Sequence, residues 1–190
     1  MALNSYAELI SAVKELLALP DAPVTVFISQ AEADFRSIRH RYMEKTKRVS
    51  MAANVGSIAE PDDYLDLISI RLGDRLLDRM SRYKDGPVDD NSYYLSDRTI
   101  CVRPVQTGGV KLSLVYRAKI PTLSEANPSN WLLEEFPMVY LHATMMHAYE
   151  WLRDVDGENA SRARFGEAVA QLNLDNKRST SGGNLPVLSL

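Results

Sequence analysis

Apolar positions near the start of the chain recur at the spacing of one helix face. They are Tyr6, Leu9, Ile10, Val13, Leu16 and Leu17. An apolar side chain at every third or fourth residue is typical of an amphipathic helix. Ser5 and Glu8 have the spacing of a capping box, in which each side chain satisfies a free backbone donor at the helix start. We expect Pro20 to end this first helix.

A second periodic set of apolar positions follows Pro23. It consists of Val24, Phe27, Ile28, Ala31, Phe35, Ile38 and Tyr42. Arg36, Arg39 and Arg41 lie mostly off this stripe, as the solvent-facing residues of a helix do. The spacing therefore predicts a helix of about five turns that packs against the first. The two helices are expected within residues 5–45.

From Thr46 the apolar period shortens to two, which is typical of β-strands. Strands are predicted at residues 49–55, 64–72, 93–95, 99–102 and 110–116. The last three are expected to be successive antiparallel neighbours, joined by turns at Ser96-Asp97-Arg98 and Gln106-Thr107-Gly108-Gly109. Another turn is predicted at Asp85-Gly86-Pro87, whereas residues 76–83 fit a short helix or a strand equally well.

Helical spacing returns after Asn130. The broad apolar face consists of Trp131, Leu132, Phe136, Val139, Tyr140, Ala143, Met146 and Leu152. Pro137 is compatible with a first helical turn. We expect Gly157 to break the helix and a fourth helix to run to about Leu174. The polar, Gly-containing stretch 176–184 is predicted to be flexible, and it precedes the apolar Leu185-Pro186-Val187-Leu188-Ser189-Leu190.

These patterns predict an α+β protein. Its expected architecture is an antiparallel bundle of about four helices with an inserted antiparallel β-sheet and a flexible C-terminal tail. The predicted main domain covers residues 1–175, with helices in 5–45 and 130–175 and the β insertion in 46–120. Residues 176–190 form the predicted tail.

Composition narrows the function classes. The 190 residues include 22 Lys and Arg against 25 Asp and Glu, a formal charge of −3, and 45% are hydrophobic. This balance argues against wholesale disorder and against a strongly basic nucleic-acid binder. With Cys101 as the single cysteine, the chain alone cannot form a disulfide or a cysteine-based zinc cage. We expect neither a signal peptide nor a membrane span.

The residue types of a catalytic centre occur on the third predicted helix, but their spacing is unfavourable. His147 and Glu150 are i,i+3 neighbours, while a di-iron helix has Glu before His and needs a second such pair. His142 and His147 are five residues apart, whereas zinc-protease histidines are four apart. Cys101 has no nearby partner that would activate it. We therefore predict no catalytic residue, no cofactor and no metal site.

Positive charge is concentrated in one stretch of the sequence. It contains Arg36, Arg39, His40, Arg41, Lys45, Lys47 and Arg48, interrupted by Glu44. Such a run is typical of a solvated helix face, of a surface that meets an acidic partner, or of a weak phosphate contact. The sequence leaves these three interpretations open, although the acidic total disfavours the last.

The order of features resembles that of tailed-bacteriophage head-to-tail adaptor proteins, also called connector or head-completion proteins. After the helical hairpin come Gly86-Pro87, Arg103-Pro104, Pro121-Thr122-Leu123-Ser124 and Asn130-Trp131-Leu132-Leu133, and then the helix from Pro137 to Asp154. The resemblance covers roughly residues 6 to 175. No single motif is diagnostic, because the similarity lies in their succession.

The resemblance implies a non-enzymatic virion protein of the phage neck. Its expected partners are the portal protein, other copies of itself in a ring that is dodecameric in similar proteins, and tail nozzle or tail-tube proteins. Genomic DNA is expected to pass through the ring without sequence-specific binding. The isolated chain is expected to be monomeric, since a template can stabilise contacts too weak to form between free subunits.

Two segments are predicted to form portal or subunit interfaces. The first is the basic stretch with Arg36, Arg39 and Arg41, expected to face an acidic portal surface. The second is the tail with its apolar side chains Leu185, Val187, Leu188 and Leu190. The alternatives are another neck or tail-completion protein of similar architecture, a DNA-binding module that uses residues 36–48, and a hydrolase centred on His142, His147 or Glu150.

Overall fold

A computed structural model of the chain describes residues 3–81 and 91–180. The helices are α1 (Tyr6–Leu17), α2 (Val24–Asp34), α3 (Trp131–Glu135), α4 (Pro137–Leu152) and α5 (Val155–Thr180). The strands are β1 (Glu44–Met51), β2 (Ser57–Ala59), β3 (Tyr64–Leu72), β4 (Arg75–Leu76), β5 (Asp78–Arg79), β6 (Ser92–Ser96), β7 (Thr99–Arg103) and β8 (Val110–Ala118). In the part of the chain that the structure describes, no helix has the length and apolarity needed to cross a membrane.

The chain divides into two compact units. The helical unit comprises the residues up to Tyr42 and those from Ile120 onward, and the β unit is Met43–Lys119. The predicted α+β class is confirmed, and the strands lie between the two helical parts of the sequence. The predicted division into residues 1–175 and a tail stays a prediction. However, α5 continues to Thr180, so the first residues of the expected flexible stretch are helical.

The first helix confirms its predicted signals. Helix α1 begins after Ser5, whose Oγ accepts a hydrogen bond from the Glu8 backbone N–H at 3.3 Å. The Glu8 carboxylate accepts a hydrogen bond from the backbone N–H of Asn4 (2.7 Å) rather than from that of Ser5. At the other end, Ala18 adopts the left-handed conformation, with φ of 51°. Local sequence signals were sufficient here, because the free backbone groups at both helix ends form hydrogen bonds with residues only a few positions away.

The prediction of a five-turn second helix was wrong. Helix α2 ends at Asp34, and the chain continues through 3-10 turns at Phe35–Ser37 and Arg41–Met43. Side chains satisfy carbonyl groups beyond the helix end: Ser37 Oγ donates to Asp34 O at 3.2 Å, and Arg39 Nη1 donates to Arg36 O at 2.6 Å. Phe35 and Ile38 are buried beyond the end of the α-helix, whereas Tyr42 is 41% exposed, so the apolar period did not require a continuous helix.

The second helical part begins where it was predicted but is divided differently. Asn130 caps α3 by accepting from the Leu133 N–H at 3.0 Å, and Phe136 then separates α3 from α4, which starts with Pro137 at its N-terminal position. The break after α4 lies at Arg153, which is left-handed with φ of 58°. Gly157, the predicted break, lies inside α5, where a Cβ atom would be 2.6 Å from Tyr149 Cδ1. This glycine permits close packing instead of ending a helix.

Helix α4 is the central element of the helical unit. It contacts α1, α2, α3 and α5, and most of its surface is buried. Its buried residues are Val139, Tyr140, Ala143, Thr144, Met145, Met146 and Ala148. A helix that is apolar on nearly all sides is typical of the centre of a fold. The predicted bundle of about four antiparallel helices is therefore not confirmed, since the described residues form five helices grouped around one.

The β unit contains two four-stranded sheets instead of the single predicted sheet. Their strand orders are β1-β8-β3-β4 and β2-β7-β6-β5. The β6–β7 hairpin was predicted correctly, with Asp97 and Arg98 at positive φ in its turn. In contrast, β8 does not pair with β7 but lies between β1 and β3 in the other sheet. Residues 76–83, which the pattern left open, begin with the short strands β4 and β5, and Asp85-Gly86-Pro87 lies outside the described residues.

One apolar core joins the two sheets of the β unit. The first sheet contributes Met51, Ile70, Leu112, Leu114, Tyr116 and Ala118. The second sheet contributes Tyr93, Ile100 and Val102, and Leu77, the residue before β5, completes the core. Along β8 the buried residues alternate with half-buried or exposed ones. Strand β1 starts earlier than predicted, at Glu44, and ends at Met51, so Ala53 and Val55 lie outside it. Its side chains are mostly exposed because it is an edge strand.

Candidate interaction surfaces

The basic stretch does not form one helix face, because the structure divides it among two 3-10 turns, the loop between them and β1. Arg36 is exposed and has no hydrogen bond or ion pair from its side chain to any other described residue. Arg39 is half-buried, and its guanidinium bonds the carbonyl groups of Arg36 and Ile38 at 2.6 and 2.8 Å. Arg41 lies 4.8 Å over the ring of Tyr42. Of the three predicted interface arginines, Arg39 thus has a clear structural role.

His40 is not part of a charged surface, because it is fully buried. Its ring stacks on Trp131 with centroids 5.1 Å apart, and Nδ1 accepts from the Tyr42 backbone N–H at 3.3 Å. In the neutral ring the proton therefore lies on Nε2, which is 3.4 Å from Asp175 Oδ2. Burial lowers the pKa of His40, and the nearby Asp175 carboxylate only partly opposes this effect. The sequence pattern grouped His40 with the basic residues, whereas in the structure it is a core residue.

A neighbouring side chain connects the same segment to the end of α5. Asn176 Oδ1 accepts from the Arg41 N–H at 3.0 Å, and its Nδ2 donates to Arg39 O at 3.3 Å. These two bonds satisfy both kinds of backbone group in a segment without regular structure. The sequence pattern placed Asn176 in the predicted flexible tail. The Arg41 backbone that it binds is 135 residues away along the chain, so a local pattern does not reveal the contact.

The motifs that carried the resemblance belong to a buried polar network. Asn130 Nδ2 donates to Pro121 O and to Tyr140 Oη, both at 2.7 Å. Glu32 on α2 accepts from the Leu123 N–H at 2.7 Å and from Tyr140 Oη at 3.2 Å. Burial raises the pKa of the Glu32 carboxyl group, and these hydrogen bonds partly offset the rise. The 121–133 segment thus fixes the connection before α3 onto α2 and α4, which is a structural role.

The two histidines of α4 have different surroundings. His147 contacts two carboxylates, with Nε2 at 2.8 Å from Asp34 and Nδ1 at 3.4 Å from Glu150. His142 is half-buried, and burial lowers its pKa, helped by the positive charge of Arg164. Among residues 3–81 and 91–180, no group of three His, Cys, Asp or Glu residues is arranged to hold a metal ion. His147 connects the end of α2 to α4, a contact that the sequence spacing did not reveal.

The turn between α4 and α5 exposes large apolar side chains. Trp151, Leu152 and Val155, which we call the apolar corner, are 54%, 38% and 66% exposed. One edge of the Trp151 ring is supported by Phe27, at a centroid distance of 5.8 Å. The predicted apolar face of this helix included Leu152 but not Trp151. The sequence did contain a signal for this surface, because Trp151 is a large aromatic residue next to the end of the helix and lies off the predicted apolar stripe.

A shallow apolar groove lies near the break between α3 and α4. Its volume is about 180 Å³, and its walls are formed by 135–139 together with Ala168 and Gln171 of α5. Met138 at its rim is 45% exposed. The tail residues Leu185, Val187, Leu188 and Leu190 lie outside the described residues.

Comparison with protein-family models finds a match over residues 4–186. The matching family is described as the SU10 adaptor protein. No curated protein is similar enough to this chain to give a match. Since the match extends over nearly the whole sequence, it includes both the helical unit and the β unit.

Proposed function

Because the chain belongs to the SU10 adaptor protein family, a family of phage head-to-tail adaptors, we propose that its copies form a closed ring beneath the portal. The protein is a structural adaptor of the virion neck, associated with portal and tail proteins. The ring is dodecameric in the proposal, extends the DNA channel, helps to retain the genome until ejection and provides the attachment platform for tail components.

The apolar corner is the observation that carries the ring proposal. Trp151, Leu152 and Val155 are exposed in the single chain although they would each gain from burial. Exposed tryptophan with adjacent aliphatic residues is typical of the centre of a protein interface. A closed ring of identical chains requires each copy to bury two different surfaces against its neighbours. In this proposal the corner is one of those two surfaces.

The basic stretch, with Arg36, Arg39 and Arg41, is the proposed contact with an acidic portal surface. Arg36 and Arg41 are exposed, and charge complementarity across an interface mainly increases the association rate and the specificity. Arg39 contributes by holding the turn that presents Arg36, since its guanidinium bonds the Arg36 carbonyl. A charge reversal at Arg36 and Arg41 tests the contact without removing this internal support.

The C-terminal residues are the proposed docking tail. Leu185, Val187, Leu188 and Leu190 provide apolar side chains after the Gly182-Gly183 pair. In the proposal they bind the portal or a neighbouring copy. Removal of residues 185–190 is expected to reduce attachment to portal-bearing capsids. Unchanged attachment would contradict this part of the proposal while leaving the apolar corner untouched.

The central experiment compares Trp151→Ala with Leu16→Ala. Both side chains are more than half exposed, at 54% and 56%, so both variants are expected to stay folded as monomers. A residue at the centre of an interface contributes about 2 kcal/mol or more, which corresponds to about 30-fold in affinity. Retention of each variant on portal-bearing capsids is measured against its concentration, together with light scattering of the free protein.

The expected result is an approximately 30-fold loss for Trp151→Ala and little change for Leu16→Ala. Equal retention of the two variants would contradict the assignment of the corner to a subunit contact. A map of the virion that shows the chain away from the portal would reject the ring beneath the portal itself.

A further inference from the structure

The outer face of the first sheet has an ordered arrangement of charge. Residues of β8 alternate between the core and this face, and Ser113 is one of the outward residues. Arg48 of β1 and Arg71 of β3 both lie directly opposite Ser113 in the register. Lys111 is two residues away on β8, so it points to the same face. We call Arg48, Arg71 and Lys111 the basic end of the sheet.

Strand geometry sets the spacing within the basic end. Adjacent strands are about 4.8 Å apart, so Arg48 and Arg71 emerge about 10 Å from each other on the two sides of Ser113. Lys111 emerges about 7 Å farther along β8. All three side chains are exposed. The sheet therefore holds three positively charged side chains at a fixed spacing.

The positive charge of this end is not neutralised by the acidic residues of the same face. Those residues, Glu44 and Asp66, lie at the other end of the sheet, where both approach Arg117 at 3.9 and 3.2 Å. Within the described part of the chain, Arg48 and Lys111 have no hydrogen bond or ion pair from their side chains. Arg71 donates to the backbone carbonyl of Asp74 at 3.3 Å, which leaves its charge available.

The side chains between the charges indicate what kind of partner fits. Thr46, Ser50, Ser69 and Ser113 supply hydroxyl groups to the same face. The apolar residue of these register rows is the half-buried Val115, and Ile68 in the bulge before Ser69 is 38% exposed. Interfaces with proteins depend on apolar and aromatic anchors at their centre. Contacts to a phosphodiester backbone instead come from Arg, Lys, Ser and Thr. The absence of an aromatic residue in these rows also disfavours single strands, whose bases stack on aromatic rings.

We propose that the basic end binds the sugar-phosphate backbone of duplex DNA, without sequence specificity, through Arg48, Arg71 and Lys111. The inference goes beyond the adaptor ring, because it concerns the single chain and holds whether or not copies associate. It also differs from the basic stretch of the sequence, since Arg36, Arg39 and Arg41 take no part. Two of the three cations, Arg71 and Lys111, come from strands outside that stretch.

The test measures binding of the full chain to a fluorescein-labelled 16-base-pair duplex by anisotropy. Each phosphate contact contributes about −0.9 to the slope of log affinity against log salt, so three contacts predict about −2.7. The wild-type affinity is expected to fall about 12-fold between 20 and 50 mM NaCl. For Arg48→Gln combined with Lys111→Gln, one contact remains, and the expected fall is about 2-fold.

A charge-matched control is Lys47→Gln combined with Lys119→Gln. Lys47 is adjacent to Arg48 but points to the opposite face of β1, and both control residues are exposed. This control is expected to retain the wild-type salt dependence. Asp74→Asn removes a negative charge from the residue whose backbone carbonyl group accepts from Arg71, and it is expected to tighten binding. Circular dichroism of all variants verifies that the sheet is intact.

Three outcomes would overturn the proposal. The first is no duplex binding at 20 mM NaCl, and the second is an equal loss of affinity in the control and the Arg48/Lys111 variant. The third is tighter binding per charge to poly-L-glutamate than to the duplex, which would identify an acidic protein surface as the partner. None of these results depends on portal binding, so the ring proposal is judged separately.

Discussion

The helical unit and the β unit differ in both their interiors and their surfaces. Outside Met43–Lys119 the chain has 9 Lys and Arg against 14 Asp and Glu, whereas the β unit has 13 against 11. The core of the β unit is built from apolar and tyrosine side chains, while the helical unit buries His40 and Asn130. The helical unit exposes Trp151 and Val155, whereas the sheet exposes charge.

This difference follows from how the backbone polar groups of each unit find hydrogen-bond partners. In the sheets, the backbone ladder satisfies most polar groups, so apolar side chains are sufficient to fill the interior. The connections of the helical unit lack a ladder, and their backbone groups need side-chain partners such as Asn130 and Asn176. The two surfaces consequently fit different partners, a protein at the apolar corner and a polyanion at the basic end of the sheet.

The largest expected effect tests the apolar interior of the β unit. Leu114 is 1% exposed between the two sheets, and Leu114→Ala removes buried methyl groups and leaves a cavity. The free energy of unfolding is expected to fall by about 3 kcal/mol. Urea unfolding followed by far-ultraviolet circular dichroism measures it. Leu76→Ala, at a side chain that is 52% exposed, is the control and should change it by less than about 0.5 kcal/mol.

A smaller effect is expected from the polar interior of the helical unit. Asn130→Ala removes the cap of α3 and the donor to Pro121 O and Tyr140 Oη, which leaves buried acceptors unsatisfied. The expected cost is about 2 kcal/mol, measured by urea unfolding with tryptophan fluorescence. Asn173→Ala, on the exposed side of α5, serves as the control. A cost of Asn130→Ala no larger than that of the control would mean that the network does not stabilise this unit.

The smallest expected effect is a pH dependence of the helical unit. Burial lowers the pKa of His40 in the folded chain, so below the unfolded value of about 6.5 the unfolded chain binds more protons. The contribution to stability is complete above that pH and decreases as the pH falls toward the folded pKa. His40→Phe keeps an aromatic ring against Trp131 but cannot be protonated.

The measurement compares unfolding free energies of the wild type and His40→Phe at pH 7.5 and 5.5. The wild type is expected to lose more stability on acidification than the variant. His142 has its pKa lowered in the same direction and is present in both proteins, so the difference between them reports His40. Identical pH dependence in both proteins would show that the buried ring does not control the acid response.

Several elements of the fold were predictable from short sequence windows. Helix α1 begins at the predicted residue and strand β3 has the predicted bounds, because the Ser5 cap, Gly73 and the apolar period all lie in or next to these elements. The β6–β7 hairpin was also predicted, since its turn is local. The family resemblance was confirmed, and its motifs at 121–133 take part in a buried hydrogen-bond network.

Other features required the three-dimensional arrangement. The partner strands of β8, the end of α2 at Asp34 and the burial of His40 depend on contacts between residues far apart in the sequence. The same holds for the basic end, since Arg48, Arg71 and Lys111 meet only through the strand register. The period of apolar residues reports which positions are buried but not against which partner.

The amino-acid order alone determined the α+β class, the helix caps, most strand positions and the membership of a phage adaptor family, because each depends on local backbone preferences or on the succession of motifs. Only the tertiary structure decided which strands pair, which basic residues are buried, and which apolar residues stay exposed. The physical reason is that burial and pairing are set by the sum of long-range contacts, which the local period of a sequence does not encode.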